Sequence, residues 1–217
     1  MKHTLLYRES YPMLQCELEA GEEMVAEADA VVVMSESILL QDYNNMAAMR
    51  AFSKKLQHEC FFAQRIVADG KPGKVLLAQA FPGTVLQAAL DGHILVRKEC
   101  FLAVTGAPEI SFELLKFREK GNVEDRFSAI SIQGDGDVFL GGYGVVHTIE
   151  LAYDEPVKID YNHLVAWEAH LNYTFPYRDD ERNEYGENRL CAFSGQGRIW
   201  IQSRNLSGFK RSLDELK

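Results

Sequence analysis

His163, Glu168 and His170 are the residues of this chain that come nearest, by type and spacing, to a metal site. On a strand Glu168 and His170 would share a face, because side chains alternate with period two. Zinc needs a third and a fourth ligand that this segment does not offer. A structural role is the expectation for all three, and no metal ligand is assigned. Asp135-Gly-Asp137 resembles the opening of a calcium loop, yet the later ligands and the terminal Glu are missing. It reads instead as a tight hairpin turn. The acidic run at 178–187 carries Asp179, Asp180, Glu181, Glu184 and Glu187. Such a run reads as a solvated loop, with a loose divalent-ion site as the alternative. His58-Glu-Cys60 puts a base beside a thiol. On a strand His58 and Cys60 would point to one side, and Cys60 leads into Phe61-Phe62, so a buried, inert thiol is expected.

The sequence has no G-x-S-x-G, H-E-x-x-H, phosphate-binding loop or complete dinucleotide fingerprint. No catalytic residue and no cofactor-binding residue is therefore assigned, and no enzyme is expected. Lys54-Lys55 and Lys116 to Lys120 read as solvated faces of helices. The net charge is −9, which argues against nucleic acid, since that binding rests on neutralising phosphates. Cys16, Cys60, Cys100 and Cys191 are scattered with no C-x-x-C, as suits free thiols in a reducing compartment. The start of the chain has no apolar signal core, and no run approaches the ~18 apolar residues of a membrane span. A cytoplasmic protein is expected.

The elements that must position these residues are announced by a repeated phrase. Gly73-Lys-Val-Leu-Leu77, Gly136-Asp-Val-Phe-Leu140 and Gly197-Arg-Ile-Trp-Ile201 share the pattern Gly-x-(Val/Ile)-x-(Leu/Ile), 63 and 61 residues apart. A fixed period marks a duplicated unit. Without a gap, 73–104 lies over 136–167 with its apolar positions in phase. The third copy starts at 197 and runs into the end of the chain. Its remainder is echoed at the front, where Leu14-Gln-Cys-Glu-Leu18 matches Leu86-Gln-Ala-Ala-Leu90 and Ala30-Val-Val-Val33 matches Phe101-Leu-Ala-Val104. The expectation is a single all-β domain over 1–217, a closed threefold pseudo-symmetric β-sandwich or barrel. Its repeats are 73–135, 136–196, and 197–217 plus 1–45, so the third is split between the termini and 14–33 pair with 197–204.

Short apolar segments alternate with the turn signals Asp91-Gly92, Asp135-Gly136 and Pro82-Gly83. In the phrase Val75, Val138 and Ile199 lie on one face and Leu76, Phe139 and Trp200 on the other. Both sets are apolar, so these strands should be covered on both sides. One or two short helices are expected. Met46 to Leu56 has Met49, Phe52 and Leu56 on one stripe, and 112–120, ended by Gly121, is a second candidate. The tail at 212–217 is too short to establish an element.

The chain resembles the Altered Inheritance of Mitochondria family of mitochondrial-biogenesis and bacterial proteins. The resemblance rests on Glu17-Leu-Glu-Ala-Gly-Glu22 with Val25-Ala-Glu-Ala28, on Glu59-Cys-Phe-Phe62, and on Val75-Leu-Leu-Ala78 followed by Pro82-Gly83. His163-Leu-Val-Ala-Trp167 and Phe193-Ser-Gly-Gln-Gly-Arg-Ile-Trp-Ile-Gln-Ser203 complete it. It implies a fold like the tryptophan RNA-binding attenuation protein, without that protein's RNA binding, because fold alone does not carry function. It also implies a family with no established enzymatic activity. A non-enzymatic oligomeric scaffold or adaptor is the expected function, as a cyclic homo-oligomer for which the resemblance favours a trimer. The alternative is a binding module for a small apolar or metabolite ligand in a cavity of the β-body.

Overall fold

The computed structural model describes residues 1–43, 63–116, 126–174 and 190–214. The protein is mostly β, built from antiparallel sheets with few helices. The first strands are β1 (Lys2–Leu6), β2 (Met13–Leu18), β3 (Glu23–Glu27), β4 (Val31–Met34), β5 (Ile38–Asp42), β6 (Ala63–Ala68) and β7 (Gly73–Leu77). Two long strands follow, β8 (Val85–Arg97) and β11 (Arg126–Gly141), with β9 (Phe101–Thr105) and β10 (Glu109–Lys116) between them. The last are β12 (Val146–Leu151), β13 (Val157–Asp160), β14 (Leu164–Glu168), β15 (Asn172–Thr174), β16 (Leu190–Ser194) and β17 (Gly197–Gln202), before helix α1 (Leu206–Asp214).

Each copy of the repeated phrase lies between two partners, in the same register each time. β7 pairs with β2, Leu18 opposite Gly73 and Leu14 opposite Leu77. The 136–141 stretch of β11 pairs with 85–90 of β8, Leu90 opposite Gly136 and Leu86 opposite Leu140. β17 pairs with β12, Leu151 opposite Gly197 and His147 opposite Ile201. On their other edges the three take β4, β9 and β14, and each of those ladders skips one residue: Val32, Leu102 and Val165. A skipped residue bends its strand and raises the local twist.

These pairings correct several expectations. Residues 14–33 pair with β1, β7, β6 and β9, and no described ladder joins them to 197–204. Nor do the described residues form a closed barrel: among them β4 ends one sheet, β12 and β5 end the largest, and β13 ends a three-stranded one. Asp91-Gly92 and Asp135-Gly136 are not turns. They lie inside β8 and β11 and face each other, Asp91 opposite Asp135 and Gly92 opposite Gly134. Gly92, Gly134 and Gly136 have φ of 104°, 139° and 144°, a region that favours glycine. The glycines let two long strands pass from one neighbour to the next without a turn. Residues 112–116, expected in a helix, close β10, where Ile110 and Phe112 face Ile132 and Ile130 of β11. An apolar cross-strand row outweighs a helical spacing that the same residues also satisfy. Residues 117–120 and the Met46–Leu56 segment lie outside the described residues.

Three clusters of buried apolar side chains fill the spaces around the sheets. One collects Leu14, Leu18, Val75 and Leu77 with Leu102 and Phe139. A second joins Leu90, Val138 and Leu140 to Val165 and Trp200. The third holds Leu164, Trp167, Phe193 and Ile199. Both faces expected to need cover are covered by the chain itself at Val138, Phe139, Ile199 and Trp200. Leu76 remains half-buried.

Candidate functional site

The connections from β7 to β8, from β11 to β12 and from β17 to α1 meet at one end of the molecule. Gly83 and Gly144 form an isolated parallel bridge. Thr84 N donates to Gly144 O at 2.7 Å, and Gly142 N donates to Thr84 O at 3.1 Å. The third connection locks onto the second: Ser203 N donates to Val145 O and Val145 N donates to Ser203 Oγ, both at 2.9 Å. A Cβ on Gly83 would lie 2.2 Å from Gly142 O and 2.4 Å from Gly144 O, so only glycine permits this approach of two backbones. Gln202 holds the connections from below. Its Oε1 accepts from Tyr143 N at 2.9 Å and its Nε2 donates to Asn162 O at 3.0 Å.

An open pocket of about 550 Å³ sits over this junction, and the 9–11 stretch forms one wall. Glu9 and Arg204 give it one charge of each sign, and Thr84 and Ser203 add hydroxyls. Tyr11 and Tyr143 bring aromatic rings. Such a pocket can take a small polar or zwitterionic molecule with an apolar edge.

Sequence reasoning did not find this pocket. Its walls come from four distant stretches of common residue types, and the one available signal was the pair Gly83 and Gly144 just before two matching strands. The residues it did single out are held by the fold. His163 engages both ring nitrogens, Nδ1 with Gln202 O at 2.7 Å and Nε2 with Asn205 Nδ2 at 2.8 Å. Glu168 receives Arg198 Nε and Arg198 N, each at 2.8 Å. Arg198 also lies over the Trp200 ring, 5.3 Å from its centroid. His170 Nε2 contacts Gln196 O at 2.8 Å. Among the described residues no group of three His, Cys, Asp or Glu is placed to hold a metal. Asp137 is tied into the sheet by its N–H to Thr105 Oγ1 and by Gln87 Nε2 to its carboxylate, both at 2.9 Å. His58, Cys60 and the 178–187 run lie outside the described residues.

The thiols are set for packing. Burial pushes Cys16 and Cys191 up to about 12 and raises Cys100 further, so none is a thiolate near neutrality. Glu27 is the exception among the carboxyls. Burial, helped by the nearby charge of Asp29, raises it to about 7. No described helix is long and apolar enough to cross a membrane.

Comparison with known proteins adds the family. The sequence model described as mitochondrial biogenesis AIM24 matches residues 3–204. An uncharacterized protein of Streptococcus pyogenes serotype M6 is 24% identical over 225 residues, covering 98% of this chain and 90% of that protein. An X-ray crystal structure of a Streptococcus pyogenes protein superposes with a TM-score of 0.81 at 22% identity, over 100% of this chain and 99% of the other. That likeness is one of fold.

Proposed function

From the premise that the chain belongs to the mitochondrial biogenesis AIM24 family, we propose that it is a non-enzymatic scaffold or adaptor that associates with itself. In this reading three β-units follow one another along the chain, at 13–77, 85–141 and 146–202. They surround a pseudo-threefold axis, in a fold like that of the tryptophan RNA-binding attenuation protein. The observation that carries the reading is what becomes of the groups with chemical potential. His163, Glu168, His170 and Asp137 are spent on hydrogen bonds that fix strands and connections. The interior is packed with apolar side chains. A body of this kind works through its surface. The same reading places it in the cytoplasm as a homo-oligomer, with no resident metal or cofactor and no nucleic-acid partner.

The open pocket at the junction of the connections favours a second reading, a module that binds a small polar metabolite between Arg204 and Glu9. Native mass spectrometry of protein purified from its own host separates the two. Multiples of the chain mass with no added small molecule support the scaffold. A stoichiometric small molecule, lost in an Arg204→Ala variant, supports the binding module. A purified protein that turns over a metabolite would refute both.

A further inference from the structure

The pocket over the junction presents its polar groups in two sets. The first comes from the connections. Thr84 Oγ1 accepts from Val146 N and Ser203 Oγ accepts from Val145 N, each at 2.9 Å. A hydroxyl that accepts from a backbone N–H still carries a proton to donate. Both hydroxyls line the pocket together with Arg204, whose own backbone N–H is anchored on Tyr143 O at 3.2 Å. Two hydroxyl donors and a guanidinium form a set that suits a carboxylate, because the guanidinium fork matches its two oxygens.

The second set lies on the connection between β1 and β2. Glu9 lines the same pocket, and an ionised carboxylate only accepts hydrogen bonds. Glu9 and Arg204 form no ion pair with each other, so both charges are available to one ligand. A plain anion would be repelled by Glu9, whereas a molecule with a carboxylate and an ammonium answers both groups. The same connection holds Tyr7 and Tyr11 at φ of 54° and 51°, the left-handed region that disfavours a bulky residue and favours glycine. Tyr11 is 69% exposed, so burial within the chain does little to offset that cost. Its ring lines the pocket, as does Val145, which is 57% exposed. An aromatic ring and an aliphatic side chain offer a surface for an apolar group of the ligand.

We infer that this pocket takes a zwitterion of the amino-acid type with an apolar side chain, either a free α-amino acid or a dipeptide. Arg204, Thr84 and Ser203 hold its carboxylate, Glu9 holds its ammonium, and its side chain lies against Tyr11 and Val145. The inference rests on the second reading above, the small-molecule binding module, and names the chemistry of its ligand. A volume of about 550 Å³ admits either size.

The test is isothermal titration calorimetry of the full-length protein with L-leucine, L-phenylalanine and L-leucyl-L-leucine, each beside its N-acetylated and its C-terminally amidated form. At least one parent zwitterion is expected to bind, and the tightest tells amino acid from dipeptide. Removing either charge from that ligand should weaken it about tenfold or more, since each change loses a charge-assisted hydrogen bond. Arg204→Ala should weaken the parent by a similar factor and the amide much less. Glu9→Gln should weaken the parent and leave the N-acetyl form unchanged. Arg204→Lys keeps the charge and should recover part of the loss. Both side chains are exposed, so the variants should keep the wild-type melting temperature. If parent and N-acetyl ligands bind alike, the site reads a carboxylate alone and the zwitterion is overturned. If no probe binds at millimolar concentration, but protein from its own host retains another small molecule that Arg204→Ala loses, the ligand class is overturned and the binding module stands. If no probe binds and nothing is retained, both are overturned.

Discussion

Leu76, Phe139 and Trp200 occupy the same place in the repeated phrase, but the fold treats them differently, and mutation should report the difference. Phe139 is 0% and Trp200 1% exposed, each inside a packed cluster. Truncation to Ala removes a buried aromatic ring and leaves a cavity, which costs about 3–5 kcal/mol. Leu76 is half-buried. Leu76→Ala removes three carbons at about 0.8 kcal/mol each when fully buried. With the smaller part of that surface already in water, the expected loss is about 1.5–2 kcal/mol. Urea unfolding of the three variants at one low protein concentration measures this, with the slope required to stay constant so that midpoints convert to stability. A cost for Leu76→Ala equal to that of Phe139→Ala would refute the claim that the first copy is left uncovered. So would a Phe139→Ala protein as stable as wild type.

Gly83→Ala should cost about 2–3 kcal/mol, since its Cβ would overlap backbone atoms of Gly142 and Gly144 that cannot rotate away; thermal unfolding against wild type checks this. Glu27→Gln tests the raised carboxyl. Neutral Glu27 stabilises the fold fully below its unfolded value near 4.5, and that contribution is lost as pH rises through about 7. Wild type should therefore lose about 1–2 kcal/mol relative to Glu27→Gln between pH 4.5 and 7.5, allowing for solvent screening of a partly exposed group; chemical denaturation across that range would show a flat difference if burial were not the cause. Cys16, Cys100 and Cys191 should resist an alkylating reagent at pH 8 in the folded protein and react in denaturant, as read by peptide mapping; rapid labelling of Cys16 in native protein would contradict its burial.

The strands of the repeated phrase were legible because a β-strand needs little more than a short apolar run between turn residues. Gly73, Gly136 and Gly197 do open matching stretches, and the register of their ladders follows the apolar phase of the sequence. Where the unit begins was not legible, because a periodic pattern has no marked origin. Starting each unit at the glycine forced a third copy to wrap around the termini. The ladders instead put Leu14 and Leu18 beside β7, with the whole of the first set lying N-terminal to its own phrase. Asp91-Gly92 and Asp135-Gly136 misled for a related reason. Glycine at positive φ serves a turn and a strand bend equally well, and which one forms depends on a partner strand distant in sequence. The pocket was barely legible in the sequence, since backbone connections from separate parts of the chain create it and only the glycines Gly83 and Gly144 mark where they meet.

The expected need for an oligomer also changes its basis. It was inferred from two apolar sets that a single body could not hide, but Phe139 and Trp200 are hidden by neighbouring strands of the same chain. Each is covered because one stretch of strands leans on the next: Phe139 packs with Leu14 and Val75, and Trp200 with Val138 and Leu140. At Leu76, Val32 and Val33 that cover is incomplete, so the case for self-association rests on the exposed side chains of β4 rather than on the repeated strands.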